Sequence, residues 1–306
     1  FSAGNTPSVS SLTEEYNFST STVTPGAWAS GGNTNTALGT TAGNGSQTAA
    51  IIMGGADTLN NSELYNGSAW TAAPTLNTGR YGAGEATQAP QTAALLFGGV
   101  VTSTRKSETE EWNGSSWSEV NDIPTATSQL AGAGTQTAAL SIGGSNSGGN
   151  NAESYEYNGT DWSTAGDMNT ARERAAAFGT QTAAVAVGGS PPLVSNVEEY
   201  NGTAWTNATV YPTNIGLAAA AGILTAGLVF SGNVPPVTGN TNGYDGTSWS
   251  TRPSMATARQ GGAGAGTSTS ALMASGANSG GTAVTTTEEF TGETTAVNSA
   301  NNISTS

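Results

Sequence analysis

Residues 91–117, QTAALLFGGVVTSTRKSETEEWNGSSW, decide the fold. An apolar run ends in Gly98-Gly99, a variable linker follows, and then come Glu110-Glu111-Trp112, an Asn113-Gly114 corner and Trp117. The same order of parts recurs along the chain. Glycine pairs stand at Gly54-Gly55, Gly98-Gly99, Gly143-Gly144 and Gly188-Gly189, with degenerate copies at Ser231-Gly232 and Ser275-Gly276. Tryptophans keep the same beat at Trp28, Trp70, Trp117, Trp162, Trp205 and Trp249. An aromatic residue precedes each corner, at Tyr16, Tyr65, Trp112, Tyr157, Tyr200, Tyr244 and Phe290. The spacing is about 44 residues, which falls among repeats that build four-stranded propeller blades.

Each unit reads as four short strands. In the second, residues 82–87 form a small-residue strand, 92–97 a buried strand ending at the glycines, and 108–112 a third; a fourth begins near Ser116. Asn-Gly accepts positive φ at both central positions and suits a type I′ hairpin turn. Alternation of Glu with aromatic residues fits one buried and one wet face. Small residues such as Ala176, Ala177 and 218–221 suit the innermost, most crowded strand.

An apolar run with Gly-Gly, then Glu-x-Tyr, then Trp a few residues on resembles the kelch family of β-propellers. The resemblance covers nearly the whole chain. It implies an all-β propeller of four-stranded blades, with an Arg before the first strand of a unit; Arg80, Arg174 and Arg259 match this. The other large propeller family, WD40, requires Gly-His signatures, and the chain has no His.

The count of units predicts seven blades, the first incomplete. Phe1-Ser2-Ala3-Gly4 resembles Phe230-Ser231-Gly232, the end of a second strand, and residues 10–28 then supply the third and fourth strands of that blade. Fuller units follow over 37–72, 82–120, 131–164, 175–207, 217–250 and 262–297; the last lacks its Trp. The alternative is six blades, with the N-terminal strands displacing residues 285–297. A third arrangement docks the half-blade onto a second copy by strand donation, giving a homopolymer. Residues 1–297 are predicted to form one propeller and 298–306 a polar tail.

Composition narrows the function. Among 306 residues 9% are charged, with 21 acidic against seven basic and a net charge of −14. That sign disfavours nucleic acid, whose phosphates need Lys and Arg. No stretch is long and apolar enough to span a bilayer. There is no Cys, hence no disulfide framework and no thiol chemistry. Without His or Cys, a zinc site or the copper chemistry of kelch-fold oxidases has no ligands. The Asp residues are scattered and form no calcium loop. No cofactor and no metal is expected.

Antiparallel order puts the loops between strands 2 and 3, and between strands 4 and 1 of the next unit, on one face. These vary in sequence, whereas the other face repeats Thr-Gln-Thr and Asn-Gly-Ser or Asn-Gly-Thr. Recognition is expected on the variable face, with Arg105, Lys106, Asn146, Asn150, Leu193, Val194 and Val234 as candidate contacts. Glu63, Glu110, Glu156, Glu199 and Glu289 follow the repeat and read as structural, pairing with the repeat arginines or with backbone donors. The stretch from Gly243 to Trp249 resembles the Asp box of sialidase propellers at Asp245. Asn66, Asn113, Asn158 and Asn201 match glycosylation acceptors, although the turn alone accounts for them.

Repetitive Asn/Thr/Gly/Ala-rich kelch-like chains resemble propeller modules of bacteriophage virions and of bacterial extracellular proteins. The resemblance implies a non-enzymatic structural or adhesion module on a virion or extracellular surface, binding other protein subunits or surface glycans. A carbohydrate-active propeller and an intracellular kelch-type adaptor are the alternatives.

Overall fold

The computed structural model describes residues 18–300. They divide into two units, residues 26–292 and a smaller one of residues 18–25 and 293–300.

The larger unit is a six-bladed propeller. Its blades are four-stranded antiparallel sheets, numbered here in chain order. The first four strand sets run from Ala42–Ser46 to Trp70–Ala73, from Gly84–Glu85 to Trp117–Val120, from Ala131–Thr135 to Trp162–Thr164, and from Ala176–Thr180 to Trp205–Asn207. The fifth runs from Ala219–Ile223 to Trp249–Arg252. The sixth takes three strands from its own repeat, Ala263–Thr267, Ser270–Ala274 and Thr287–Thr291. Its outermost strand, Ala27–Ser30, comes from the other end of the propeller sequence.

This corrects the count of seven. The residues read as half a blade contribute one strand, and it completes the last sheet instead of starting a new one. The six-bladed alternative holds in its count and in its closure by an N-terminal strand, but residues 287–291 are retained as the third strand and are not displaced. Trp28 pairs with Phe290, as Trp70 pairs with Tyr65 and Trp205 with Tyr200. The Trp missing from the last repeat is therefore supplied by the first. The strand Ala27–Ser30, read as part of the half-blade, is paired within the chain.

In the smaller unit Phe18–Thr24 pairs antiparallel with Thr294–Ala300, from Thr24 opposite Thr294 to Phe18 opposite Ala300. The predicted tail thus begins inside a strand. Residues 1–17, including the proposed second-strand end and Tyr16, and residues 301–306 lie outside the described residues.

The core is a set of layers between blades. Six apolar clusters each join two neighbouring sheets. One packs Leu38, Ile52 and Tyr65 against Ala263 and Leu272, and so closes the ring between the first and last blades.

Polar residues fasten these seams in registers that repeat. The side-chain amides of Gln47, Gln91, Gln136 and Gln181 each donate to two carbonyls of the preceding blade at 2.7–3.2 Å. This gives the Thr-Gln-Thr motif its function. The indole N–H of Trp28, Trp70, Trp117, Trp162 and Trp205 reaches a Thr or Ser hydroxyl one blade back. Where that position is Val197, Trp249 donates to the Thr209 carbonyl instead.

The acidic residues fall into two registers, which the sequence reading merged. Glu63, Glu110, Glu198 and Glu288 are buried and accept backbone N–H bonds from the preceding loop. Three of them also pair with buried arginines: Arg80 with Glu110 at 2.5 Å, Arg259 with Glu288 at 2.7 Å, and Arg172 with Glu198. The repeat arginine of the fourth blade is therefore Arg172. Arg174, the residue expected there, is 39% exposed and lies 3.4 Å from Glu173.

The second register crosses the seams. Glu289, Glu111, Glu156 and Glu199 accept hydroxyl bonds from Tyr65, Tyr157, Tyr200 and Tyr244 of the next blade. Burial first, and the carboxylate second, push these tyrosine pKa values up. At the two seams where Leu64 or Gly243 replaces the acid, the partner is Trp112 or Phe290, which carries no hydroxyl.

Candidate functional site: an axial well closed at one end

The first strands of the six blades surround the propeller axis. At its mouth, on the face of the strand 2–3 and 4–1 loops, one residue per blade adopts a left-handed conformation. These are Thr40, Gly82, Gln129, Arg174, Leu217 and Gly261, with φ between 53° and 60°. Each of the last five donates its backbone N–H to the carbonyl of the one before, at 2.6–3.4 Å, and Thr41 closes the circle onto Gly261 at 3.3 Å. A hydrogen-bonded hoop thus ties all six blades. Left-handed backbone costs a residue with a Cβ roughly 1–2 kcal/mol, so four of the six positions carry strain that the hoop imposes.

Inside the hoop the walls are Ala and Gly for a packing reason. A Cβ at Gly43 would stand 2.7 Å from that of Ala263, and one at Gly264 2.8 Å from the Ala220 carbonyl. The corresponding residues are Gly132, Ala177 and Ala220, but in the second blade the residue is Glu85. The first strand there is short, Gly84–Glu85, and Glu85 lines the axial space from the mouth inward. It faces Leu130, Ala175, Ala218 and Gly262, with Arg174 at the mouth. Half-buried in the well and ringed by protein, its carboxyl is pushed up by desolvation from the ordinary 4.5 to about 8.

The second blade also closes the other end. Glu85 precedes Gln91 by six residues, whereas Gly132 precedes Gln136 by four. The longer turn carries Gln88 under the axis. Its backbone N–H bonds the Gly134 carbonyl at 2.7 Å. Its side-chain amide bonds the Gly222 carbonyl of the fifth blade, across the ring, at 2.8 Å. The axial space is therefore a well, open on the variable face and bridged beneath.

The residues singled out from sequence lie on the same face, away from the axis, and mostly lock loops together. Arg105 bonds the Ser145 carbonyl at 2.8 Å and its hydroxyl at 3.0 Å, joining the second blade to the third. Lys106 pairs with Glu108 at 2.7 Å. Asn146 accepts the Gly148 N–H within its own turn. Asn150, exposed, donates to the Pro191 carbonyl at 2.9 Å and joins the third blade to the fourth. Leu193 and Val194 are half-buried, and Val234 packs onto the seam between blades four and five.

On the opposite face, Asn66, Asn113, Asn158 and Asn201 each accept two backbone N–H bonds in the corner turn. Asp245 does the same, and those bonds hold its carboxyl below the usual range. Its likeness to an Asp box is thus that of a turn residue. Among the described residues, no cluster of three or more His, Cys, Asp or Glu could hold a metal ion.

Glu85 and Gln88 were not among the residues picked from sequence. The signal was a departure: an acid where the other blades have Gly or Ala, and two extra residues in the turn that follows.

No protein-family model matches the chain, and no curated protein matches it. Among solved structures it is similar to YjhT, at 15% identity and a TM-score of 0.72, covering 86% of this chain and 99% of that one. At that identity the likeness shows the propeller fold alone. The expectation of a non-enzymatic chain does not stand. It was drawn from the resemblance to virion and extracellular modules and from missing residue types, and a propeller fold shared with YjhT gives no ground for excluding catalysis.

Proposed function

We propose that this chain is a kelch-type recognition propeller that binds a surface glycan or a partner protein on the face around the axial mouth. The one-sided well carries the reading. Repetition builds the opposite face, while the mouth side holds the variable loops, the strained hoop and the single acid on the axis. The Gly-Gly strand ends, buried Glu and seam Trp support the kelch type. Rigidly interlocked loops lose little ordering entropy on binding. A composition of 9% charged residues, rich in Thr, Asn and Gly, supports an exposed setting on a virion or extracellular surface.

Binding to an array of glycans tests this, with two variants compared. Asn150→Ala together with Val234→Ser, on the mouth face, is expected to weaken retention at least tenfold. Ile223→Ser, on the far face and 44% exposed, is expected to leave it unchanged. Loss with the far-face change alone would refute the assignment of the face.

A second reading rests on Glu85 itself. A carboxyl held near 8 is protonated at neutral pH, the state a general acid needs in glycoside hydrolysis. Release of nitrophenol from aryl glycosides by the parent chain, abolished in Glu85→Gln, would establish it.

A further inference from the structure

We propose that the axial well binds a single primary ammonium group on a short unbranched stem, with the Glu85 carboxylate as its counter-ion. The inference rests on the proposed binding face and names the chemistry that its centre accepts.

Three observations lead to it. First, Glu85 is the only acid lining the well, and no side chain bonds it among the described residues. A lone carboxylate can neutralise one cation, whereas calcium needs six to eight oxygen ligands. Second, the side chains around the acid are mostly small, Ala131, Ala175, Ala218 and Gly262 beside Leu130, with the polar Thr40, Thr41 and Gln129 toward the mouth. Such a tube admits a slender stem and offers an acid at one depth only. Third, the space is narrow, since the Gln88 side chain alone bridges the ring beneath. An unbranched stem fits where a guanidinium fork does not.

The charged groups near the mouth are Arg174 and Glu173, 3.4 Å apart, which offset one another. The first strands beside Glu85, Ala42–Ser46 and Ala131–Thr135, contribute none. Glu85 is therefore the group whose ionisation the ligand must drive, and binding near neutral pH displaces its proton to solvent.

Calorimetry of the full chain with n-propylammonium chloride is the test. Binding is expected at pH 8, at least tenfold weaker in Glu85→Gln, with n-propanol failing to compete. Proton competition at a carboxyl near 8 makes affinity rise roughly 50-fold between pH 6 and pH 8 and then level off. Independently, saturating propylammonium should lower the NMR titration midpoint of the Glu85 carboxyl by at least one pH unit. Displacement by Nα-acetyl-lysine amide points to a protein side chain as the natural source, and displacement by an amino sugar to a glycan; either supports the site. Equal affinity in Glu85→Gln, equal binding of n-propanol, or an unmoved midpoint would overturn it. Glycan retention on the mouth face that survives those negative results would leave the binding face standing and remove only the ammonium site.

Discussion

The second and fourth blades carry the same buried ion pair, Arg80 with Glu110 and Arg172 with Glu198, fastened to the same loop backbone. Their innermost strands differ. In the fourth, Ala176–Thr180 runs its full length beside its neighbours. In the second, Gly84–Glu85 stops early, puts an acid on the axis and sends Gln88 across to the fifth blade. What is common to the two blades holds the ring together. What is peculiar to the second shapes the one concave site with a charge in it. In a repeat protein the repeated residues report on stability, and the departures mark where function can lie.

That contrast can be broken at several points. The largest effect is expected at the ion pairs. Arg172→Ala leaves a buried carboxylate unpaired and should destabilise the propeller by about 3–5 kcal/mol in denaturant unfolding. The same change at exposed Arg174 should cost under about 0.5 kcal/mol. Equal losses at the two sites would dissolve the distinction between repeat arginine and rim arginine.

At the well the sign is opposite. The folded state holds a proton on Glu85 up to about pH 8, while the unfolded chain releases it near 4.5. Stability contributed by this group therefore falls as pH rises from about 4.5 to about 8. Glu85→Gln should match the parent at pH 4 and exceed it at pH 9 by on the order of 5 kcal/mol. Thermal melts at the two pH values check this.

A smaller loss, about 2 kcal/mol, is expected for Gln181→Ala, which strips two hydrogen bonds from the Ala139 and Tyr157 carbonyls. The smallest concerns the seam acids. Tyr200→Phe should cost about 1 kcal/mol by removing its bond to Glu156. Phe290→Tyr should gain nothing unless Gly243→Glu is made with it; a double-mutant cycle reads the coupling.

Much of the ring was legible in the chain. Gly-Gly pairs, Trp spacing and Asn-Gly corners mark strand ends, seams and turns because each of those positions has one physical demand repeated in every blade. Closure by an N-terminal strand was legible only as the six-bladed alternative. Trp28 looks like the end of an incomplete first blade, and only pairing with Phe290 shows that it completes the last. Long-range strand pairing leaves no local pattern to read. Arg174 was taken for the repeat arginine although the spacing favours Arg172, which stands 16 residues before Gly188 as Arg259 stands 16 before Ser275; burial separates them in the same sense. The loop residues Arg105 and Asn150 were visible as variable, but their contacts with neighbouring blades depend on loop geometry. Glu85 was hidden by its own repeat, in which an acid near a glycine-rich strand resembles the many structural acids.

The central claim is that departure from the repeat in the second blade builds an enclosed acid on the axis. The most direct measurement is the carboxyl carbon resonance of Glu85, assigned by its loss in Glu85→Gln and followed against pH in the ligand-free chain. A midpoint at about 8 is the predicted result. A midpoint near the ordinary 4.5 would mean that the carboxyl sits in bulk water, and would contradict the well.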